Sequence, residues 1–227
     1  MRNISKLHKS SMAFWSSCLQ DKKRIIRGKD FPNEYVYKTL LKENLIFKIK
    51  KGLYLLKTKS EEKQSLFFRH YWFLIQTILE SYEPCSLEKS SALDLYLGNE
   101  SIPENLFVRT SKNVNYKIQL PFDSKIIIRP DPNYHNNTKT PFLIDDVELS
   151  LDLPEYVLLN IKQRTGIKFN AFVKGMNFNK QYLDILYYAN PKPIIVKQLI
   201  NKANELGNEK LGRDLKTILK KHTIYRV

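Results

Sequence analysis

The stretch "LIFKIKKGLYLL", Leu45 to Leu56, alternates in its first half. Leu45, Phe47 and Ile49 fall on one side, and Ile46, Lys48 and Lys50 on the other. A turn at Lys50-Lys51-Gly52 leads into a second run of β-formers, Leu53-Tyr54-Leu55-Leu56. Alternation, a glycine turn and a further apolar run predict a β-hairpin, with Lys48, Lys50 and Lys51 around its tip.

The segment just before it, "PNEYVYKTLLKENL", predicts a helix over Pro32–Asn44. Pro32 suits a first helical turn, and Glu34 sits where the positive helix end favours an acid. At about 100° per residue, Val36, Tyr37, Leu40 and Leu41 share the side expected to face a core. Tyr35, Lys38, Thr39 and Lys42 share the side expected to face outward. Farther back, Ile4, Leu7, Ser11, Phe14, Trp15, Cys18 and Leu19 recur at helical spacing and predict helix over Ile4–Leu19, in one piece or two. Ile25-Ile26 suggests a short strand and Gly28 a turn.

Helical segment, helix, basic hairpin is the element order of a winged helix-turn-helix. In that fold the last helix enters the major groove and the hairpin wing touches the flanking backbone. Lys48, Lys50 and Lys51 are then expected at phosphates, where each neutralised charge releases condensed counterion. Base reading falls to Tyr35, Lys38, Thr39 and Lys42. Arg27 and Lys29 complete the expected DNA-binding set. The bland alternative makes these cations the solvated faces of a small domain, and winged helices also serve as protein-interaction modules.

The charge distribution bears on that choice. The 227-residue chain carries a net charge of +15 and a pI near 9.6, which points to a polyanion: nucleic acid or an anionic membrane surface. Residues 1–59 hold a net +11, residues 60–150 a net −4 and residues 151–227 a net +8. A basic block on a patterned, foldable segment is a better nucleic-acid signal than a high pI alone. The two cysteines, Cys18 and Cys85, match no metal or redox spacing and suggest a reducing compartment. The amino terminus has no apolar run of signal-peptide length. The densest apolar stretch, "SLFFRHYWFLIQTIL", contains Arg69 and His70 and is too short to span a bilayer. A soluble, cytoplasmic protein without a membrane partner is expected.

The fold expected for the whole chain is α+β: an N-terminal winged helix-turn-helix, then an α+β domain with a small mixed or antiparallel sheet and a helical C-terminus. The polar stretch "LKTKSEEKQS" (Leu56–Ser65) changes the sign of the charge and suggests a boundary, giving domains 1–59 and 60–227. "EEKQSLFFRHYWFLIQTILESY" reads as one helix that is apolar almost all round and founds the second core. "SLEKSSALDLYLGN" reads as a helix ended by Gly98. "NLFVRT", "NYKIQL" and "KIIIRP" read as strands, and "RPDPNYHNNTKTP" as a surface loop. "FLIDDVELSLDLPEYVLLNIKQ" reads as a strand and then a helix, with Asp152 and Glu155 at capping-box spacing. "KFNAFVKGMNFNKQYLDILYYA", "KPIIVKQLINKANELG" and "EKLGRDLKTILKKH" read as helices.

The search for catalysis yields one dense acidic cluster, Asp145, Asp146, Glu148, Asp152 and Glu155. Carboxylates of this kind hold Mg²⁺ in nucleic-acid enzymes. Here no Gly-Ser followed by D-x-D accompanies them, and no E-x-K, while Asp152 and Glu155 are expected as caps. The four histidines, His8, His70, His135 and His222, are isolated. No phosphate-binding glycine loop or nucleophile elbow occurs. The expectation is a protein that is not an enzyme and takes no metal or cofactor.

Three segments together resemble the AbiEi-like antitoxins of bacterial abortive-infection toxin–antitoxin pairs. "LLKENLIFKIKKGLYLL" is similar to that family's wing. In "SLEKSSALDLYLGNESIPENLFVRT", Ser91-Ala92-Leu93, Gly98 and Ile102-Pro103 occupy the family's serine-alanine-leucine, glycine and isoleucine-proline positions. "LPEYVLLNI" resembles its proline-glutamate-x-x-leucine-leucine helix. The match covers roughly residues 35–165. The resemblance implies a two-domain, non-enzymatic protein. Its winged helix would bind double-stranded operator DNA, usually inverted repeats at its own promoter, and repress that promoter. Its second domain would oppose a nucleotidyltransferase-fold toxin encoded beside it, directly or functionally. Two other readings stand beside this one: a winged-helix transcription regulator with a ligand-sensing or protein-interaction domain, and a metal-dependent nucleic-acid enzyme using Asp145, Asp146 and Glu148. The basic C-terminal helices, with Lys197, Lys210 and Arg213 among their cations, suit DNA, an acidic partner or solubility alone.

Overall fold

The computed structural model describes residues 2–96, 99–132, 134, 139–153, 194–205 and 207–224. The chain is α+β and divides into two compact units, Met1–Ile78 with Ile118–Lys125, and Leu79–Lys117 with Ile126–Val227. The polar stretch at which the sequence suggests a boundary, after residue 59, is a loop within the first unit.

The first unit runs α1 (Arg2–Gln20), β1 (Ile25–Arg27), α2 (Glu34–Lys42), β2 (Ile46–Lys50), β3 (Leu53–Leu56), α3 (Lys63–Arg69) and α4 (Tyr71–Leu79). One 3-10 turn, Gly28–Asp30, stands between β1 and α2. The strands form an antiparallel sheet in the order β1-β3-β2. Because β3 is central, all four of its residues are buried. Tyr54 and Leu56 join Cys18, Ile26, Val36, Leu40, Leu45 and Ile46 in one core, with Met12, Phe14, Trp15 and Leu19 of α1 packed against it. Leu53 and Leu55 point to the other face.

That second face explains the long aromatic run. Phe47, the cross-strand partner of Leu55, has its ring 6.1 Å from Phe122 and lies under the Lys63 ammonium at 5.8 Å. Phe67 of α3 packs on Phe122 at 5.4 Å and on Tyr71 at 5.7 Å. The run expected to found the second core therefore serves the first unit, and it forms two helices that part at His70. Leu66, Phe67, Tyr71, Leu74 and Ile78 are buried, while Phe73 is exposed.

Hairpin β2–β3 departs from simple alternation. Lys48 pairs with Tyr54 and Lys50 with Leu53, so Ile49 is an extra residue bulged out of the ladder. The bulge turns Ile49 inward, and Ile46 and Ile49 are buried while Phe47 is only half-buried.

The second unit is built on a six-stranded mixed sheet in the order β6-β7-β5-β4-β9-β8. Its elements are β4 (Cys85–Leu87), α5 (Lys89–Tyr96), β5 (Asn105–Thr110), β6 (Tyr116–Gln119), β7 (Lys125–Pro130), β8 (Lys139–Ile144) and β9 (Val147–Asp152). α6 (Ile194–Glu205) and α7 (Glu209–Ile224) follow and pack on each other. β4 pairs antiparallel with β5 and parallel with β9. Where one strand is expected over "FLIDDVELSL", there are two, β8 and β9, folded into a hairpin at Asp145-Asp146. Both turn residues adopt positive φ, 48° and 61°, which aspartate tolerates better than most side chains. The expected helices over "LPEYVLLNIKQ" and "KFNAFVKGMNFNKQYLDILYYA" lie outside the described residues. No helix among the described residues is long and apolar enough to cross a membrane.

Candidate nucleic-acid interface

Helix α2 is set by its ends. The Asn33 side chain accepts a hydrogen bond from the Val36 amide at 3.0 Å and caps the first turn. At the other end the Leu45 amide donates to the Leu40 carbonyl and the Asn44 amide to the Leu41 carbonyl, with Asn44 at φ 54°. These two bonds and the left-handed residue make a Schellman stop. The buried Lys57 ammonium donates to the Asn44 carbonyl at 3.2 Å, tying the helix end to the exit of β3.

Burial fixes which face of α2 looks outward. Val36, Thr39 and Leu40 are buried, whereas Glu34, Lys38, Leu41 and Lys42 are exposed and Tyr35 and Tyr37 are half-buried. Thr39, expected to read bases, is only 8% exposed, and Leu41, expected in the core, is 45% exposed. The core-facing side is thus rotated by about a fifth of a turn from the one read in the sequence. The cause is Tyr37, which packs sideways with Phe31 (5.5 Å) and Tyr54 (5.3 Å) instead of pointing into the centre. Burial, and then the hydrogen bond shared with Tyr37, push the Tyr54 phenol above its ordinary value.

The β2–β3 hairpin is held by backbone contacts. The Gly28 amide donates to the Gly52 carbonyl at 2.9 Å, and Arg27 pairs with Leu53 in the β1–β3 ladder. Arg27 and Lys29 are thereby brought beside the hairpin tip that carries Lys50 and Lys51. The Asp30 carboxylate accepts from the Arg27 amide at 3.0 Å and pairs with Lys23 at 3.1 Å. The ion pair of Asp30 is with Lys23, and Lys29 acts on the same carboxylate only through its charge.

Among the described residues, no carboxylate pairs with Lys29, Lys42, Lys48, Lys50 or Lys51. Lys29, Lys42, Lys48 and Lys51 are exposed, and Lys50 is half-buried. Lys38 forms an exposed pair with Glu34 at 2.9 Å, and its hydrogen bond holds the Glu34 carboxyl below the usual range. Of the nine expected DNA-binding residues, Thr39 is the one withdrawn from the surface. Periodicity places Leu41 inward and Thr39 outward; the structure exchanges them, with Tyr37 at the edge of the core against Phe31 and Tyr54.

The acidic cluster of the sequence is not one site. Asp145 and Asp146 sit exposed at the β8–β9 turn, while Asp152 is fully buried at the far end of β9, about 20 Å of extended chain away. The helix that Asp152 and Glu155 are expected to cap lies outside the described residues. Asp152 Oδ1 accepts from Ser86 Oγ and from Arg109 Nε, both at 2.6 Å, and Arg109 also holds Asp131 at 2.9 Å. The ring of Tyr134 lies 5.0 Å from the Arg109 guanidinium. No group of three or more His, Cys, Asp or Glu among the described residues is arranged to hold a metal ion. No protein-family model matches this chain, and no curated protein matches it either.

Proposed function

We propose that the first unit is a winged-helix module that binds duplex DNA, and that the chain is an antitoxin and autorepressor of the AbiEi-like kind. The observation that carries the DNA reading is the cation set joined by the Gly28–Gly52 bond. Lys48, Lys50 and Lys51, with no carboxylate paired to them among the described residues, share one end of the module with Lys29, whose neighbour Asp30 is already paired with Lys23. The sheet order β1-β3-β2 and the succession α1, β1, α2, β2, β3 support a wing flanking a helix that enters the major groove. In this module the single turn Gly28–Asp30 takes the place of a full helix between β1 and α2. The antitoxin role, the inverted-repeat operator and the nucleotidyltransferase-fold toxin rest on the resemblance of the three segments quoted above. The second unit would carry the toxin-opposing role.

Mobility shifts of the full-length protein on the DNA upstream of its own gene, over a salt series, test the DNA reading. Specific retardation that weakens steeply with salt is expected. Equal, weak retardation of every duplex would defeat the operator assignment. Co-expression with the neighbouring gene product tests the rest, with rescue of growth as the expected result.

A further inference from the structure

The exposed face of α2 carries an apolar residue that the DNA reading has not yet used. Glu34, Lys38 and Leu41 stand at positions i, i+4 and i+7, so they form one stripe along the helix. The buried side is centred on Val36, Thr39 and Leu40, and Leu41 projects well away from it. A lone exposed leucine needs no explanation elsewhere on a protein. Here it lies one turn beyond Lys38, beside the exposed Lys42, on the helix proposed to enter the groove. The Schellman bond from the Asn44 amide to the Leu41 carbonyl fixes its backbone, so the side chain is presented from a stopped, ordered helix end.

We infer that Leu41 is a specificity-determining residue that packs on a thymine methyl group, as the apolar member of a stripe reading successive base edges. This rests on the DNA reading above. The stripe spans seven residues, about 10 Å along the helix, which is about three base steps of the duplex. Its chemistry is ordered: a carboxylate acceptor at Glu34, an ammonium donor at Lys38, an apolar surface at Leu41. In the major groove those suit a cytosine amino group, the guanine N7 and O6 acceptors and a thymine methyl, respectively. The Glu34–Lys38 pair, 2.9 Å apart in the free protein, holds both groups in the stripe before DNA arrives.

The test replaces thymine by 2′-deoxyuridine, one position at a time, which removes the methyl and nothing else. The probes are duplexes selected by the full-length protein from a random library. One thymine is expected whose replacement weakens the parent protein about fourfold, the effect of one buried methyl. That same replacement is expected to leave Leu41→Ala binding nearly unchanged. Leu41→Gln, which keeps length and helix propensity, should show the same loss of coupling and guards against a folding artefact. If every deoxyuridine substitution affects parent and Leu41 variants equally, Leu41 reads no methyl and the inference is overturned, while the phosphate contacts stand. Selection that yields no preferred sequence overturns it equally. A protein that retains no duplex at low salt overturns the DNA reading itself.

Discussion

The Gly28 amide donates to the Gly52 carbonyl across 2.9 Å, so the turn before α2 and the tip of the wing are one structure. The two glycines play unequal parts in it. Gly52 sits at φ +77° with open space around its missing side chain, whereas a methyl at Gly28 would meet the Gly52 Cα at 3.5 Å, an ordinary contact. Gly52→Ala is therefore expected to lower stability by about 1 kcal/mol through left-handed backbone strain. Gly28→Ala should stay within about 0.5 kcal/mol of the parent. Urea unfolding of both variants checks the contrast. Equal effects would mean that close approach rather than backbone conformation governs the wing tip.

If the first unit binds DNA as proposed, Lys48, Lys50 and Lys51 bear on affinity and not on stability. No acid pairs with Lys48, Lys50 or Lys51 among the described residues, so their removal breaks no ion pair in the free protein. The triple alanine variant should unfold within about 1 kcal/mol of the parent. Its DNA affinity should fall for all duplexes alike, and its salt slope should flatten by up to about three phosphate equivalents. An unchanged slope of log affinity against log salt would move the phosphate contacts elsewhere.

Thr39 and Lys38 stand side by side in the chain but differ in burial, and substitution should separate them. Thr39→Ala removes packing from beneath α2 and is expected to destabilise by about 1 kcal/mol, with base preference retained. Lys38→Ala breaks only an exposed pair with Glu34, so stability should hardly change while base preference relaxes. Thermal unfolding together with selection on a randomised site reads both. A base-preference change in the Thr39 variant alone would return that residue to the interface.

How much of this was legible beforehand follows from what each element depends on. The hairpin at Leu53–Leu56, the helix ending near Lys42 and the strands at Asn105–Thr110 and Lys125–Pro130 are local patterns, and they lie where periodicity puts them. Three things were not local. The side of α2 that faces in depends on where Phe31 and Tyr54 stop Tyr37. The allegiance of the aromatic run depends on the exposed back of β3, which must be covered because β3 is the central strand. The fate of Asp152 depends on Ser86 and Arg109, which are 66 and 43 residues distant in sequence. β4 was missed because three residues carry no period, and the β8–β9 turn was missed because Asp-Asp is a weaker turn signal than Asn-Gly.

The pH response of the second unit should come from Asp152. Burial raises its carboxyl to about 6, against the opposing pull of Arg109. Its Oδ2 has no hydrogen-bond partner among the described residues, so ionisation leaves an oxygen unserved. The folded value lies above the ordinary 3.8, so folding favours the protonated form. Stability from this group therefore rises as pH falls from about 7 toward 4, by about 3 kcal/mol over the whole window. In the first unit, His70 responds in the opposite direction. Burial, then Arg24 and Arg69, push the imidazole below its usual 6.5, so its contribution is lost as pH falls through that range. The carboxyls of Asp30 and Glu61, partly buried but held low by backbone amides and cations, and of Glu34, held low by Lys38, lose their contribution only below about 4.5. The quantity to measure is the difference between parent and Asp152→Asn in denaturant unfolding from pH 4.5 to 7.5, from which the His70 contribution cancels. Asparagine still accepts from Ser86 but cannot titrate. The parent should gain on the variant as the solution is acidified, and a carbon-13 resonance of one aspartate carboxyl should titrate near pH 6 in the parent and vanish in the variant. A flat difference, with every aspartate titrating below pH 5, would mean that Arg109 keeps Asp152 ionised and that the buried cluster is a permanent ion pair.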